Sequence, residues 1–484
     1  MSKGVLAFDF GASSGRAMLG CFENGKIELK EIHRFKNTPI YENDNICWDI
    51  QNLFGEIKKS LALCDEYESI GIDTWGVDFG FVDESGKIIK NPVNYRDPRT
   101  KGMIEKVSEK ISRDKLYSLT GNQIMEINTV FQLYYELLYN KEIFDSVDKI
   151  LLMPDLLNFL LTGEMKAERS IASTTQLIDP YKKQWNDYIL DQLGIRKDIF
   201  PALIPSGTEI GLIKEDIAIE LNIERKTVIA VCGHDTASAV AAVPAEQDFI
   251  FISCGTWALF GTELQEPVIT DKSLAYNLTN EIGINGTTRF MKNLTGLWLL
   301  QETKKQFESE NKSYSFDELE QLAKAAEAFK CFIDTDLDRF MTPGDIPQRI
   351  KEYASETGQR VPQTDGEVVR CIYDSLAFKY RYTYEQISEC LGKKYEKIHI
   401  VGGGSRDSLL CQMAAEASGL EVIAGPVEAT AIGNIIVQLI ARGEIKNLEE
   451  GRKIIKASFE TIKYVPIEHD SWNKEYERYK NIIK

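Results

Sequence analysis

One arrangement that occurs twice restricts the fold of this chain more than any other feature of its sequence. A short apolar strand, a turn of small residues and a second strand are predicted for residues 5–9 and 16–22, and again for residues 248–253 and 257–262. The two copies lie too far apart for a solenoid, whose repeats recur at roughly 20–50 residues. We therefore expect two similar domains, 1–243 and 244–484.

The rest of the chain predicts α/β units. The order predicted for the second half is a helix at 367–391, a strand at 397–401, a glycine turn, a helix from about Asp407, a strand at 421–424 and a helix at 428–442. In the first half, the apolar runs 69–74 and 227–232 are typical of buried strands. No linker rich in Pro, Gly or Ser marks a boundary near Val243 and Pro244. We therefore expect two α/β domains packed around a central cleft.

Charge and cysteine content narrow the class of protein. The 484 residues carry a formal net charge of -17, which argues against binding to nucleic acid or to an anionic membrane. None of the nine cysteines lies within four positions of another, so the spacing of a zinc site is absent and buried thiols in a reducing cytoplasm are expected. The N-terminal apolar run is too short for a signal peptide, and the most apolar internal stretch is interrupted by Pro154 and Asp155.

The turn within residues 9–16 (DFGASSGR) has the composition of a phosphate-binding loop. Small residues let the backbone approach a phosphate, and Ser13 and Ser14 can donate hydrogen bonds to its oxygens. Asp9, at the end of the strand, could hold a magnesium ion, which prefers few carboxylates together with phosphate oxygens. A plain hairpin turn is the alternative interpretation.

Two later turns resemble the first in composition. Gly255 and Thr256 occupy the turn of the second copy, and the glycines at 402–404 follow a predicted strand and open a helix. The two hairpins together suggest that their turns bind a polyphosphate from opposite sides. The glycine turn suggests that its backbone approaches a nucleotide closely. No GxxxxGK loop occurs in the chain, and the triplet lacks the spacing of the dinucleotide fingerprint.

Asp235 and Trp75 are the residues that suggest a reaction and a substrate. Asp235 follows an apolar strand and precedes a helix, where it could accept the proton of a hydroxyl during phosphoryl transfer. His234 beside it could bind substrate or simply hydrogen-bond to the backbone of the turn. Trp75 and Gly76 lie at the end of another strand, where a ring could stack on a sugar; a buried tryptophan is the alternative.

Together these segments resemble the FGGY carbohydrate kinases nearly from end to end, and among them the kinases of L-rhamnulose. The segments that carry the resemblance are DFGASSGR at 9–16, SIGIDTWGVDF at 69–79, LMPD at 152–155, TTQL at 174–177, GHDT at 233–236 and IAGPVEA at 423–429. The resemblance implies two ribonuclease-H-like domains of the actin/hexokinase type. It also implies magnesium-ATP as the phosphoryl donor and the C1 hydroxyl of L-rhamnulose as the acceptor.

The resemblance assigns roles to individual residues. Asp235 is implied to be the proton acceptor. Residues implied to line the sugar are Gly76, His234, Thr236 and Asn293. Residues implied to contact ATP are Ala12, Ser13, Ser14, Gly15, Arg16, Thr256, Gln301 and Gly403. Cysteine pairs of one branch of the family have no complete match here, so no disulfide is carried over.

Two rival functions remain open on the sequence. The first is the same reaction on another ketose, such as L-fuculose or L-xylulose, since few contacts separate these sugars. The second is an actin-like ATPase module that binds proteins, which would need neither the sugar segment nor a carboxylate placed like Asp235. The partners expected are a small sugar and ATP, with neither nucleic acid nor membrane, and the chain could be a monomer or a homodimer.

Overall fold

The computed structural model describes residues 4–483 as an α/β protein whose packing divides it into two compact units. Unit 1 comprises the chain up to Glu246, together with Glu263–Phe290 and Ala429–Phe459. Unit 2 comprises Gln247–Thr262, Met291–Glu428 and the chain from Glu460 onward. Each unit is therefore assembled from segments that are distant in the sequence. The division of the sequence into 1–243 and 244–484 stays a prediction.

Unit 1 is built on a six-stranded sheet. Its strands, in sheet order, are β13 (Thr208–Leu212), β14 (Thr227–Ala230), β6 (Tyr67–Thr74), β1 (Gly4–Phe10), β2 (Ser14–Glu23) and β3 (Lys26–Lys36). Strands β14, β6 and β1 run parallel, whereas β1, β2 and β3 form an antiparallel meander. Every residue of β1 is buried, as expected for a strand that is covered on both faces. The carboxyl ends of the three parallel strands lie at one edge of this sheet.

A second sheet has seven strands. In sheet order they are β17 (Thr279–Ile282), β18 (Thr288–Thr295), β16 (Trp257–Leu264), β15 (Ile250–Cys254), β19 (Lys397–Val401), β20 (Glu421–Ala424) and β21 (Ile462–Tyr464). Strand β15 pairs antiparallel with β16 and parallel with β19, just as β1 pairs antiparallel with β2 and parallel with β6. This correspondence confirms the predicted repeat of the strand–turn–strand arrangement.

Short ladders and helices complete the fold. The two-stranded ladders are β4 (Ile40–Glu42) with β5 (Asn45–Cys47), β7 (Phe79–Val82) with β8 (Lys149–Leu152), β9 (Ala167–Glu168) with β12 (Leu203–Ile204), and β10 (Ile178–Asp179) with β11 (Gln184–Trp185). The helices of unit 1 are α1 (Ile50–Leu63), α2 (Met103–Ser108), α3 (Arg113–Thr120), α4 (Thr129–Tyr139), α5 (Lys141–Asp145), α6 (Met153–Thr162), α7 (Arg169–Ala172), α8 (Asp187–Leu193), α9 (Glu215–Leu221), α10 (Asp235–Ala241), α11 (Asp271–Ala275), α18 (Ala429–Ala441) and α19 (Leu448–Ser458). The helices of unit 2 are α12 (Trp298–Ser309), α13 (Phe316–Ala325), α14 (Asp338–Met341), α15 (Ile346–Glu356), α16 (Asp365–Leu391), α17 (Ser408–Ser418) and α20 (His469–Ile482).

Side-chain capping explains where predicted helices begin and end. The helix predicted at 367–391 starts two residues earlier, because Thr364 and Glu367 form a reciprocal capping box, and it ends where Gly392 adopts φ +60°. The helix predicted from Asp407 starts one residue later, because the Asp407 side chain accepts the backbone N–H of Leu410 and so caps the helix from outside. Among residues 4–483, no helix combines the length and apolarity that crossing a bilayer requires.

Helix α18 packs closely on α10 in unit 1. A Cβ built on Gly433 of α18 would lie 1.8 Å from the carbonyl oxygen of Ser238 in α10, so only glycine permits this approach. Because α10 begins at Asp235, the contact fixes the helix that carries this carboxylate.

Candidate active site

Three carboxylates gather at the carboxyl ends of the parallel strands of unit 1. Asp9 and Asp73 are direct partners in the register of β1 and β6. Asp235 follows β14, and the backbone N–H of Thr74 donates to the carbonyl of Gly233 at 2.9 Å, which places Asp235 beside the end of β6. The carboxyl edge of parallel strands is where open α/β folds bind ligands. Asp73 had not been assigned a role from the sequence.

Asp9 is held by the arginine at the far end of the first turn. The guanidinium of Arg16 donates to Asp9 Oδ2 from Nε at 2.9 Å and from Nη2 at 2.7 Å. This contact crosses the antiparallel pair β1–β2, in which the two residues are partners. Asp9, which the sequence assigned to magnesium, and Arg16, which the sequence assigned to ATP, are therefore hydrogen-bonded to each other.

Asp73 is fully buried and is tied to α18 by amide side chains. Its Oδ2 accepts a hydrogen bond from Asn434 Nδ2 at 2.6 Å, whereas its Oδ1 is buried without a hydrogen-bond partner among the described residues. Gln438 continues the network by donating to Asn434 Oδ1 at 2.8 Å and to the carbonyl of Leu6 at 3.1 Å. Burial raises the pKa of the Asp73 carboxyl well above its usual range, and the charge of Asp9 raises it further.

Asp235 has one fixed carboxylate oxygen. Oδ1 accepts hydrogen bonds from the backbone N–H of Thr236 at 2.6 Å and from its hydroxyl at 3.2 Å, and it lies 3.4 Å from His234 Nε2. The side chain keeps 31% of its surface exposed, so the carboxylate can meet a ligand. Partial burial raises the pKa of Asp235, His234 acts in the opposite direction, and the charge of Asp9 raises it again.

His234 is packed over an ion pair that was not found from the sequence. Arg289 Nη2 lies 3.1 Å from His234 Nδ1 and 3.1 Å from Glu281 Oε2, and that same Glu281 oxygen lies 3.2 Å from Nδ1. Arg289 is fully buried and Glu281 nearly so. Burial would raise the pKa of Glu281, but the charge of Arg289 acts against it, and the pKa of this carboxyl is lowered. The opposite charges of Glu281 and Arg289 on either side of a turn were the available sequence signal.

Trp75 is 5% exposed and belongs to a buried aromatic pair. Its ring lies 4.1 Å from that of Trp48 between centroids, and both indole N–H groups donate to Asp78 Oδ2, at 3.0 Å and 2.7 Å. Gln132 Nε2 donates to the other oxygen of Asp78 at 3.1 Å. Burial raises the pKa of Asp78 to about 6 against these hydrogen bonds. The stacking of Trp75 on a sugar stays a prediction. In the structure the ring packs against Trp48 and donates a hydrogen bond to Asp78.

The segment after Trp75 is held in an unusual backbone conformation. Val77 has φ +67°, which is rare for a β-branched residue. Thr174 Oγ1 accepts the backbone N–H of Val77 at 3.1 Å, and Thr129 Oγ1 donates to its carbonyl at 2.6 Å. A Cβ on Gly76 would come within 3.1 Å of the Thr174 side chain. Such locally strained segments persist where the surroundings hold them, as these threonines do, and they concentrate at binding sites.

The first turn combines an exposed tip with a packed base. Ser13 is exposed, and its carbonyl accepts the backbone N–H of Asn37 at 3.0 Å, which anchors the tip to the end of β3. Ala12 and Ser14 are half-buried. Packing alone requires a glycine at position 15, because a Cβ on Gly15 would lie 2.3 Å from the Phe35 ring. The turn therefore presents backbone and hydroxyl groups on a rigid support.

In unit 2, the second hairpin and the glycine turn lie side by side. A Cβ on Gly402 would lie 3.0 Å from the carbonyl of Cys254, and one on Gly404 would lie 2.2 Å from its sulfur. A Cβ on Gly403 would instead meet nothing within 4 Å, and Gly403 is exposed. The two outer glycines are thus needed for packing against Cys254, whereas Gly403 faces open space.

The other residues of unit 2 that the sequence assigned to the nucleotide or the sugar are Thr256, Gln301 and Asn293. Thr256 Oγ1 donates to Gln301 Oε1 at 3.4 Å, so these two predicted ATP contacts are neighbours. Asn293 is half-buried in β18. Beside it, burial lowers the pKa of Lys292 to about 8, and the charge of Lys379 lowers it further. The structure brings Thr256 and Gln301 together within unit 2.

Comparisons with known proteins identify the family of this chain. The N-terminal domain of the FGGY family of carbohydrate kinases matches residues 4–242, and the C-terminal domain of that family matches residues 250–442. A rhamnulokinase of Oceanobacillus iheyensis is 41% identical over 471 residues, which cover 96% of this chain and 99% of the relative. A rhamnulokinase of Bacteroides thetaiotaomicron is 40% identical over 489 residues and covers both chains completely.

A solved structure supports the fold. The xylulose kinase of Lactobacillus acidophilus superposes with a TM-score of 0.80 at 15% identity, covering 99% of this chain and 97% of the other. At that identity the likeness concerns the fold alone, and it agrees with the two-domain α/β architecture expected from the sequence. The family matches and the full-length relatives together establish that this chain is a member of the FGGY family of carbohydrate kinases.

Proposed function

We propose that the chain transfers the γ-phosphoryl group of ATP to the C1 hydroxyl of L-rhamnulose, giving L-rhamnulose 1-phosphate and ADP. Membership of a carbohydrate kinase family and full-length relatives named rhamnulokinase support this reaction. The observation that carries the chemistry is the partly exposed carboxylate of Asp235 at the carboxyl edge of the parallel strands.

Asp235 is the proposed proton acceptor. The C1 oxygen of the sugar attacks the γ-phosphorus, its proton passes to the Asp235 carboxylate, and the bond between the γ-phosphorus and the bridging oxygen of ADP breaks. Thr236 fixes Oδ1, so Oδ2 is the oxygen that can turn towards a hydroxyl. The raised pKa makes this carboxylate a stronger base than an ordinary aspartate.

The residues around Asp9 fit a magnesium ion. Asp9 Oδ1 and the unpartnered, buried Asp73 Oδ1 are hard oxygen donors on neighbouring strands. Magnesium prefers few carboxylates together with phosphate oxygens, and these two carboxylates lie side by side in the register of β1 and β6. When bound, magnesium neutralises charge on the transferring phosphates. Arg16, which is anchored on Asp9, would add a second positive charge.

The other predicted contacts divide between substrates. ATP is proposed to contact the first turn (Ala12, Ser13, Ser14, Gly15 and Arg16), Thr256, Gln301 and Gly403. The ketose is proposed to contact Gly76, His234, Thr236 and Asn293, with Trp75 supporting the Gly76 segment through its contact with Trp48. The exposed tip of the first turn and the open space at Gly403 support these assignments.

A ketose panel tests the proposal. ADP release is measured by a coupled assay with L-rhamnulose, L-fuculose and L-xylulose at fixed magnesium-ATP, with a sugar-free reaction as the blank. We expect the highest kcat/KM with L-rhamnulose, by roughly 10- to 200-fold where a methyl group distinguishes the sugars. A higher kcat/KM with another ketose would show that this ketose, and not L-rhamnulose, is the preferred substrate. ATP hydrolysis that does not depend on any sugar would overturn the kinase assignment.

A further inference from the structure

We infer that Arg289 is a positioning residue that fixes the tautomer of His234, so that the Nε2 proton of His234 faces Asp235 and the sugar. The inference rests on the proposed function for its catalytic meaning, but not for the tautomer itself. It follows from the contacts on the two sides of the His234 ring, which are made by residues of unit 1.

The donor chemistry of arginine determines the first step. A guanidinium can only donate hydrogen bonds, since it has no acceptor and stays protonated. Arg289 Nη2 lies 3.1 Å from His234 Nδ1, so Nδ1 must present its lone pair there. A neutral imidazole carries one proton, which must then be on Nε2. Nε2 is the atom that lies 3.4 Å from Asp235 Oδ1.

Glu281 completes the arrangement by neutralising and orienting Arg289. Its Oε2 lies 3.2 Å from His234 Nδ1, and two acceptors at that distance would repel each other without a proton between them. Arg289 Nη2 is 3.1 Å from both atoms and donates to Nδ1 and to the carbonyl of Ile282 at 3.2 Å, so its positive charge, and not a shared hydrogen bond, offsets that repulsion. Arg289 Nε donates to the carbonyl of Ile282 at 3.3 Å, which sets the plane of the guanidinium.

The functional consequence concerns the oxygen that Asp235 uses. An Nε2 proton on His234 reinforces the hydrogen bonds that Thr236 makes to Oδ1, and all of these hold the same oxygen of Asp235. The opposite tautomer would place an unshared pair on Nε2 against the carboxylate. Repulsion would then turn Asp235 and remove a donor from the sugar site.

The tautomer can be read directly by NMR of the full chain labelled with 15N-histidine. The chain has four histidines, and His234→Gln assigns the His234 signals by their loss. We expect a protonated Nε2 and an unprotonated Nδ1 in the wild-type protein. Arg289→Met leaves Glu281 as an acceptor, so a proton should appear on Nδ1, whereas Arg289→Lys retains a donor and should keep the wild-type pattern. A protonated Nδ1 in the wild-type protein overturns the inference.

A double-mutant cycle tests whether Arg289 acts through His234. Arg289→Met should lower kcat/KM for the sugar at least about tenfold in the wild-type background but no more than about twofold in the His234→Gln background. Equal losses in both backgrounds would show a merely structural role and overturn the inference. If the wild-type chain fails to phosphorylate L-rhamnulose, the proposed function falls while the NMR result still decides the tautomer.

A matched control separates this effect from loss of a buried ion pair. Arg452 Nη2 pairs with Glu263 Oε2 at 2.8 Å, also in unit 1, and both side chains are largely buried. Arg452→Met should lower the melting temperature without moving the His234 proton. If the tautomer of His234 also changed in this control, the change would reflect general destabilisation of unit 1, and the role of Arg289 would be contradicted.

Discussion

Asp73 lies directly opposite Asp9 on the neighbouring parallel strand, and within residues 4–483 only Asp9 of these two carboxylates is hydrogen-bonded to an arginine. Asp9 is neutralised by Arg16, whereas Asp73 is met by the uncharged amide of Asn434. This difference leaves an unbalanced negative charge at the end of the sheet whenever Asp73 ionises. After burial, the charges of Asp9 and Asp235 raise the pKa of Asp73 further, and a bound cation would relieve this repulsion.

Replacing the proposed base should remove turnover and leave the fold intact. We expect Asp235→Asn to lower kcat by roughly 10²- to 10⁴-fold, since that is the contribution of a general base. The melting temperature should change little, because the side chain is partly exposed. Asp187→Asn is the matched control, since Asp187 is also the first residue of a seven-residue helix but is 73% exposed. Wild-type kcat in the Asp235 variant would refute the assignment.

The pH dependence should report the raised pKa of Asp235. The carboxylate must be ionised to accept a proton, so kcat falls as the pH is lowered through its pKa. Burial raises that pKa, and the acid limb should lie above the value of about 3.9 of an ordinary aspartate. The charge of Asp9 contributes to this raised pKa, so Asp9→Asn should move the limb to lower pH. An unmoved or raised limb would contradict this electrostatic coupling, with Asp187→Asn as the control substitution.

Adjacent glycines of the glycine turn should respond differently to alanine. Gly403→Ala adds a methyl group to open space, so the melting temperature should hold while KM for ATP rises. Gly404→Ala places a Cβ 2.2 Å from the sulfur of Cys254 and should destabilise the protein by about 1–3 kcal/mol. Thermal melts and ATP titrations distinguish the two. An unchanged KM for ATP in the Gly403 variant would remove that residue from the nucleotide site.

The contact between α18 and α10 gives a paired stability prediction. Gly433→Ala drives a methyl group against the carbonyl of Ser238 and should cost about 1–3 kcal/mol and lower kcat, because α10 carries Asp235. Gly55→Ala, in the interior of α1 with no neighbour within 4 Å, should instead stabilise the protein by about 0.5–1 kcal/mol. Urea unfolding of both variants checks the pair. Equal effects would mean that the close helix crossing does not exist.

Local patterns predicted much of the fold and part of the site. The strands on either side of the first turn, the long helix α16 and the position of Asp235 after a strand could all be predicted, because each depends on neighbours within a few residues. Capping side chains moved helix boundaries by one or two residues. These shifts depend on hydrogen bonds of single residues, which hydrophobic periodicity does not report.

Contacts between distant residues could not be predicted in the same way. Arg289 reaches His234 across 55 positions, and Asn434 reaches Asp73 across 361. Neither pair forms a spacing pattern, and the buried Arg289 and Glu281 become a recognisable pair only when β17 and β18 lie side by side. The unpartnered oxygen of Asp73 is likewise a property of the surroundings that α18 and the neighbouring strands create.

The hydrogen bond from Asn434 to Asp73 also sets an order of events during synthesis. Helix α18 belongs to unit 1, yet it leaves the ribosome 361 residues after the strand it covers. At about 5–20 residues per second, that interval is roughly 20–70 s. Throughout this time the nascent sheet exposes the face on which α18 later packs, so unit 1 reaches its final packing only when nearly the whole chain has been translated.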